Sequence, residues 1–199
     1  MRFAAARAPQ RNSLTPPSPS PPVTARLQFH WWDYGLRSEL EATLRGLQRL
    51  QAAGKIRELA LTNFDTPHVV WMVDELKIPL ASNQVQFSLV DQRPLRAMAP
   101  ACAARGVQLL CYGTLLGGLL SAAWVGRGEP SGAELATPSL RKYSQMVRAW
   151  GGWPLFQELL QACARVGARH GVSVSVVGLA WVRFLRVAAR RPQKQARPK

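Results

Sequence analysis

Residues Leu27 to Tyr34 read LQFHWWDY: a short apolar run ends on a histidine, and two tryptophans and an aspartate follow at once. An imidazole at the end of a strand can donate or accept a hydrogen bond and so orient a bound group. Three later runs end in the same manner. RELALTNF carries Thr62 and Asn63, ASNQVQFS carries Asn83 and Gln84, and VQLLCYG ends at Tyr112 and Gly113. Hydroxyls and amides both donate and accept, so a rim of them can fix a flat polar group in one orientation. A tyrosine ring offers a stacking face, and a glycine-rich stretch such as GTLLGG lets backbone N–H groups approach an anion. Each residue alone also has a plain structural account. His30 could be a bonded strand histidine, Asn63 a helix cap, Asn83 and Gln84 links between strands, and Tyr112 core. Asp33 either orients His30 or starts the following loop. The recurrence of such groups at four strand ends is what points to a site.

The elements that would hold these residues repeat. β-rich runs start near Leu27, Arg57, Ala81 and Val107, about 25 residues apart, with helical patterns between them. SELEATLRGLQRLQAAG places Leu40, Leu44, Leu47 and Leu50 on one face and ends at Gly54, a good helix stop. DTPHVVWMVDELK starts with Asp65 as a cap and Pro67 in the first turn. RPLRAMAPACAARG is a weaker helix, broken at Pro100. Strand, helix, strand at this spacing implies right-handed βαβ units and a parallel sheet with strands near 27–31, 57–62, 81–87 and 107–112. In parallel βα barrels chemistry gathers at the C-terminal strand ends. Residues 113–152, rich in glycine, read as a long loop. Two helices follow, Pro154 to His170 and Val172 to about Arg190, with Ser173 as a cap for the second.

The 199 residues carry 26 Lys and Arg against 11 Asp and Glu, a formal charge of +15. That charge is concentrated at the ends. Residues 1–26 hold four arginines and no acid (+4), residues 183–199 hold five Arg and two Lys and no acid (+7), and the interior therefore carries 15 − 11 = +4. The expected organisation is a Pro/Ser/Arg-rich disordered tail over 1–26, a domain over 27–182 and a basic tail over 183–199. Without a basic face interleaved with stacking aromatics, no specific nucleic-acid partner is expected, and the tails leave only a polyanion-binding reading to test. No apolar run reaches the ~18 residues of a membrane span. Cys102, Cys111 and Cys163 are odd in number and lack metal-ligand spacing, which fits reduced thiols inside the cell. The acid-free start leaves the compartment as cytoplasmic or, if it is a transit peptide, organellar.

Other templates fail. YGTLLGG lacks the Lys-Ser/Thr of a phosphate-binding P-loop, and neither G-x-G-x-x-G nor G-x-S-x-G occurs. His68 and His170 fall in helical segments without a ligand-spaced partner and are expected on the surface.

LQFHWWDY, GKIRELALTNFD, SNQVQFSLVDQRP, GVQLLCYGTLLGGLLS and HGVSVSVVGLAWV, taken in order, resemble the aldo-keto reductases over roughly 27–182. The resemblance implies part of a (β/α)8 TIM barrel, an NADP-dependent oxidoreductase activity on small carbonyl substrates, and NADP as cofactor. It matches His30 to the catalytic histidine that lines the substrate pocket. It matches Thr62 and Asn63 to the pair that holds the nicotinamide carboxamide, and Gln84 to the glutamine that joins them. Tyr112 matches the aromatic that stacks on the nicotinamide ring, and the segment Gly113 to Gly118, including Leu115, matches the loop near the pyrophosphate.

The family's proton donor is a tyrosine made acidic by a lysine, with an aspartate in support. All three precede the histidine, yet residues 1–29 contain no Tyr, Lys or Asp. The expectation is a truncated, inactive form with weak or lost NADP binding. The alternative is a non-catalytic interaction subunit, whose partner completes the barrel. Four strands cannot close an eight-stranded barrel, so two open edges and an apolar inner face are expected.

Overall fold

The computed structural model describes residues 24–188. The expectations for the Pro-rich segment up to residue 23 and for 189–199 lie outside the described residues. Four strands, β1 (Thr24–His30), β2 (Ile56–Thr62), β3 (Ser82–Gln86) and β4 (Gln108–Tyr112), pair in sequence order, and every pairing is parallel. This is the expected α/β arrangement. β1 begins at Thr24, inside the segment assigned to the N-terminal tail, because its backbone is already paired there: Thr24 N donates to Lys55 O at 3.1 Å.

Helix α1 (Arg37–Ala52) connects β1 to β2. Leu40 and Leu44 are fully buried, Leu47 is partly buried, and Leu50, at the last turn, is exposed. Full burial of one such leucine contributes about 1.5–3 kcal/mol. Gly54, at φ 70°, turns the chain out of the helix. Helix α2 (Thr66–Val70) is capped by Asp65, whose carboxylate accepts from His68 N at 2.9 Å, and it continues as a π-helical turn over Trp71–Glu75.

The third connection breaks elsewhere than expected. A 3-10 turn covers Arg93–Leu95, the chain reorients at Arg96 and Ala97, and α3 runs from Met98 to Ala104 with Pro100 inside it. Pro100 lies in the first helical turn, where no backbone N–H is required, so it does not break the helix. Residues 113–152 are not one long loop. Short 3-10 turns at Leu116–Gly118 and Ala122–Trp124 are followed by helix α4 (Pro138–Trp150). Thr137 caps α4 by accepting from Leu140 N at 3.1 Å, with Pro138 at the first position. Helices α5 (Gly152–His170) and α6 (Val174–Ala188) close the described chain. Ser173 Oγ accepts from Val176 N at the start of α6, which continues past the boundary drawn at 182.

Two apolar clusters form. One lies between the sheet and α1, α2 and α3, with Leu40, Leu44, Leu59, Leu61, Phe64 and Met72 at its centre. The other joins the segment after β4 to α4, α5 and α6 through Leu116, Leu119, Leu120, Val147, Phe156 and Leu160. Leu27, Phe29, Leu59, Leu61 and Leu109 pack on the first cluster, so alternate residues point to the opposite face of the sheet. That face carries Arg26, Gln28 and His30 on β1, Ile56, Glu58, Ala60 and Thr62 on β2, Ser82, Gln84 and Gln86 on β3, and Gln108, Leu110 and Tyr112 on β4. It is therefore mostly polar, where an apolar face was expected. Arg26 and Glu58 sit opposite one another in register and form an ion pair at 2.6 Å. The larger apolar residues of β1 and β2, Leu27, Phe29, Leu59 and Leu61, serve the helix side.

Candidate functional site

The parallel register assembles the rim. His30 pairs with Thr62, Thr62 with Gln84, and Gln84 with Leu110, so three of the expected groups lie in one row across the sheet. Tyr112 lies one row beyond, opposite Gln86. Asn63 follows directly on Thr62, and its N–H donates to Gln84 O at 2.8 Å. Asn63 adopts φ 61°, a left-handed conformation that asparagine tolerates better than most residues and that occurs disproportionately at functional sites. This backbone aims its side chain at Tyr112, whose hydroxyl donates to Asn63 Oδ1 at 2.9 Å. A cavity of about 430 Å³ opens beside the pair, lined by Asn63, Asp65, Gln86, Arg93 and Tyr112 among others.

His30 is exposed at the edge strand, with Trp32, itself 78% exposed, edge-on at 5.6 Å. It does not line the cavity beside Tyr112 and Asn63. Asp33 serves the turn: its carboxylate accepts from Gly35 N at 3.1 Å, and its carbonyl accepts from Trp31 Nε1 at 2.7 Å. Asn83 points to the helix side, fully buried, where its Nδ2 donates to Phe64 O at 2.9 Å, so it braces the segment after Asn63. His68 is not a free surface histidine. Its Nδ1 lies 2.6 Å from Asp65 Oδ1, and its ring stacks on Tyr34 at 4.0 Å. Tyr34 in turn reaches Asn63 O at 3.5 Å. Burial, with the Asp65 charge beside it, raises the Tyr34 hydroxyl above the usual tyrosine range.

Sequence reasoning missed a second group. Asp91 is buried, with a side chain only 2% exposed, and it holds the 79% exposed Arg93 through both Nε (2.8 Å) and Nη2 (2.7 Å). Gln86 Nε2 donates to the same carboxylate at 2.8 Å. Burial pushes the Asp91 carboxyl up, but the hydrogen bonds from Arg93 and Gln86 and the Arg93 charge outweigh it and hold the group below the usual carboxylate range. The run VDQRP held the signal: an acid two residues before an arginine, just after a strand.

NADP, the cofactor implied by the sequence resemblance, fits at one end. The exposed amide of Asn63 and the half-buried Gln84 and Tyr112 form a polar rim with an aromatic face, suited to a carboxamide on a flat ring. Lys142 Nζ lies 5.4 Å from the Tyr112 ring centroid and would share that face. The glycine-rich segment is more occupied. The N–H groups of Leu116, Gly118, Leu119 and Leu120 are taken by turns within it, and the side of Gly113 that would carry a Cβ is filled by Tyr143. Leu115 is partly buried against the second apolar cluster. Among the described residues no His, Cys, Asp and Glu group could hold a metal, and no helix is long and apolar enough to cross a membrane.

A parallel βα sheet with its polar groups gathered at the C-terminal strand ends defines a barrel-type α/β protein. The model of the aldo/keto reductase family matches residues 26–187, and the chain belongs to that family. Flagellar radial spoke protein 5 of Chlamydomonas reinhardtii is 27% identical over 173 residues, covering 78% of this chain and 32% of its own length. Protein tas of Escherichia coli is 27% identical over 162 residues, covering 79% of this chain and 45% of its own. The chain thus spans less than half the length of these relatives. Among solved structures, the glycerol dehydrogenase AKR11B4 from Gluconobacter oxydans superposes with a TM-score of 0.62 at 21% identity, over 82% of this chain and 47% of that one. An aldo/keto reductase from Klebsiella pneumoniae in complex with NADP and acetate gives 0.52 at 16%, over 89% and 62%. The fold is therefore a four-stranded part of the barrel that these proteins share.

Proposed function

We propose that this chain carries the nicotinamide-facing part of an NADP-dependent oxidoreductase site that interconverts carbonyls and alcohols. The observation that carries the reading is the Tyr112 hydroxyl to Asn63 Oδ1 bond at 2.9 Å, beside the Thr62–Gln84 register pair. Asn63, Gln84 and Thr62 would hold the carboxamide, and the Tyr112 ring would carry the nicotinamide. Gly113 and Leu115, whose N–H groups the turns described above do not use, would lie toward the phosphates. Bound NADPH supplies the hydride. His30 would orient the carbonyl from the neighbouring strand. The family's Tyr–Lys couple has no counterpart in residues 1–29, so the 199-residue chain by itself is read as an inactive form that binds the cofactor weakly. Titration of the full chain with NADPH, followed by fluorescence, tests this. Tyr112→Ala is expected to weaken binding about tenfold, the scale of a lost aromatic stack plus its area. Equal binding by both proteins would refute the assignment, and turnover of an aldehyde by the chain alone would refute the inactive form.

A second reading, a non-catalytic subunit whose partner adds strands, is favoured by the two open sheet edges at β1 and β4 among the described residues. It is also favoured by one relative being, by name, a flagellar radial spoke protein. Such a partner would be a protein that pairs in parallel with β1 or β4.

A further inference from the structure

We propose that the cleft between residues 88–96 and the C-terminal half of α4 binds a small organic oxyanion, a carboxylate or phosphate ester on an apolar body, through Arg93 and Arg96. The cleft has a volume of about 670 Å³, within the range of small-molecule sites. Its polar lining is Gln86, Asp91, Gln92, Arg93 and Arg96, and its apolar lining includes Met146 and the exposed Trp150. The cleft adjoins the cavity beside Asn63 and Tyr112 and shares Gln86 and Arg93 with it, but Gln92, Arg96, Met146 and Trp150 line the cleft alone, and the inference does not depend on the cofactor reading.

The argument begins with Asp91. Burying a carboxylate costs several kcal/mol unless its partners are well placed. The turn it sits in has other supports: Ser88 Oγ accepts from Val90 N at 3.3 Å and from Asp91 N at 3.1 Å, and the Ser88 and Asp91 backbones bond each other in both directions. What the Asp91 side chain adds is a fixed Arg93. The carboxylate engages the Nε and Nη2 side of the guanidinium, which leaves the Nη1 side to meet another acceptor. Gln86, which also lines the cleft, steadies the same carboxylate from β3. A guanidinium held in a plane is pre-organised for a bidentate oxyanion and loses little side-chain entropy on binding. Arg96 adds a second positive charge on the same wall, so Arg93, Arg96 and Asp91 sum to +1. The Trp150 indole and the Met146 thioether in the same lining suit an aromatic or aliphatic body.

The test uses the full chain and calorimetric titration with 1-naphthyl phosphate, 1-naphthoate and the uncharged 1-naphthol. At least one anion is expected to bind about tenfold more tightly than the alcohol, the effect of one charge-assisted hydrogen bond, with affinity falling as salt is raised. Whichever anion binds fixes the ligand class. Arg93→Ala and Arg96→Ala should each remove most of that advantage, and Arg93→Lys should not restore it, because an ammonium lacks the fork. Arg96 holds none of the Asp91 contacts, so Arg96→Ala separates ligand binding from loop integrity; an unchanged near-ultraviolet circular dichroism spectrum would confirm this. Equal binding of the alcohol and both anions, unchanged anion binding in Arg96→Ala, or no binding of either anion would overturn the proposal.

Discussion

Gly113→Ala is expected to destabilise the protein by about 3 kcal/mol, from two separable causes. Gly113 lies at φ 70°, where a Cβ costs about 1–2 kcal/mol. A methyl built there would also overlap the Tyr143 hydroxyl and lie 2.9 Å from its Cζ. Tyr143 cannot easily yield, because it is buried in the second apolar cluster with Leu116, Val147, Trp153 and Phe156. Overpacking of this kind adds about 1–3 kcal/mol. Gly106 is the control: its φ is also 70°, but nothing lies within 4 Å of an added Cβ, so Gly106→Ala should show the backbone cost alone. In a Tyr143→Phe background the cost of Gly113→Ala should fall by about 1 kcal/mol, a coupling of the size expected for residues in contact. Urea unfolding of the wild type, the three single variants and the Gly113→Ala/Tyr143→Phe double variant gives the result. Equal costs for Gly106→Ala and Gly113→Ala would show that Tyr143 does not constrain the turn. Because Gly113 follows Tyr112 directly, the same substitution should also disturb the Tyr112–Asn63 bond.

Gly113 also shows how far the sequence could be read. Its place in a glycine-rich run after a strand suggested a phosphate loop, and only the fold reveals that the missing side chain makes room for a tyrosine 30 residues later in α4. That helix was itself hidden. Its cap, Thr137 followed by Pro138, is a local signal, but the glycines around it suggested a loop, and its apolar residues, Tyr143 and Val147, belong to a cluster drawn from distant segments, with Val90, Leu116, Phe156 and Val174 among its members. The four strands were legible because their spacing is regular, and the rim followed because a parallel register aligns strand ends. His30, Thr62 and Gln84 fall in one row for that reason. The polarity of the sheet face opposite the helices was not legible because an apolar run does not say which of its alternate residues meets the helices. The strained backbone of Asn63 and the hold of Asp91 on Arg93 depend on residues brought together by loops, for which periodicity gives no signal.

Asp91 makes the second large effect testable by pH. Its carboxyl is held below the usual range by Arg93 and Gln86 despite burial. A group whose folded pKa is depressed contributes stability that is fully present above its unfolded value, about 3.9 for aspartate, and is lost as pH falls through the folded value. The thermal midpoint should therefore be insensitive to Asp91 between pH 7 and about pH 5 and should begin to lose its contribution below about pH 4. Asp91→Asn keeps the shape but removes the charge, leaving Arg93 with weaker acceptors and presenting an amide NH2 where Gln86 also donates. With Arg93 largely exposed and able to turn to water, the expected loss at pH 7 is about 2 kcal/mol, below the 3–5 kcal/mol of a pair in which both charges are buried. Asp91→Asn should be flatter than the wild type below pH 4, so the two stability curves converge in acid. Arg93→Ala should also lower stability at pH 7, but there the remaining carboxylate keeps only Gln86 and backbone partners, its pKa rises, and the acid loss begins at higher pH than in the wild type. Parallel curves for wild type and Asp91→Asn from pH 7 to pH 3 would mean that the carboxylate contributes nothing through its charge. That result would assign the turn at 88–91 to Ser88 alone and leave Arg93 without a fixed support.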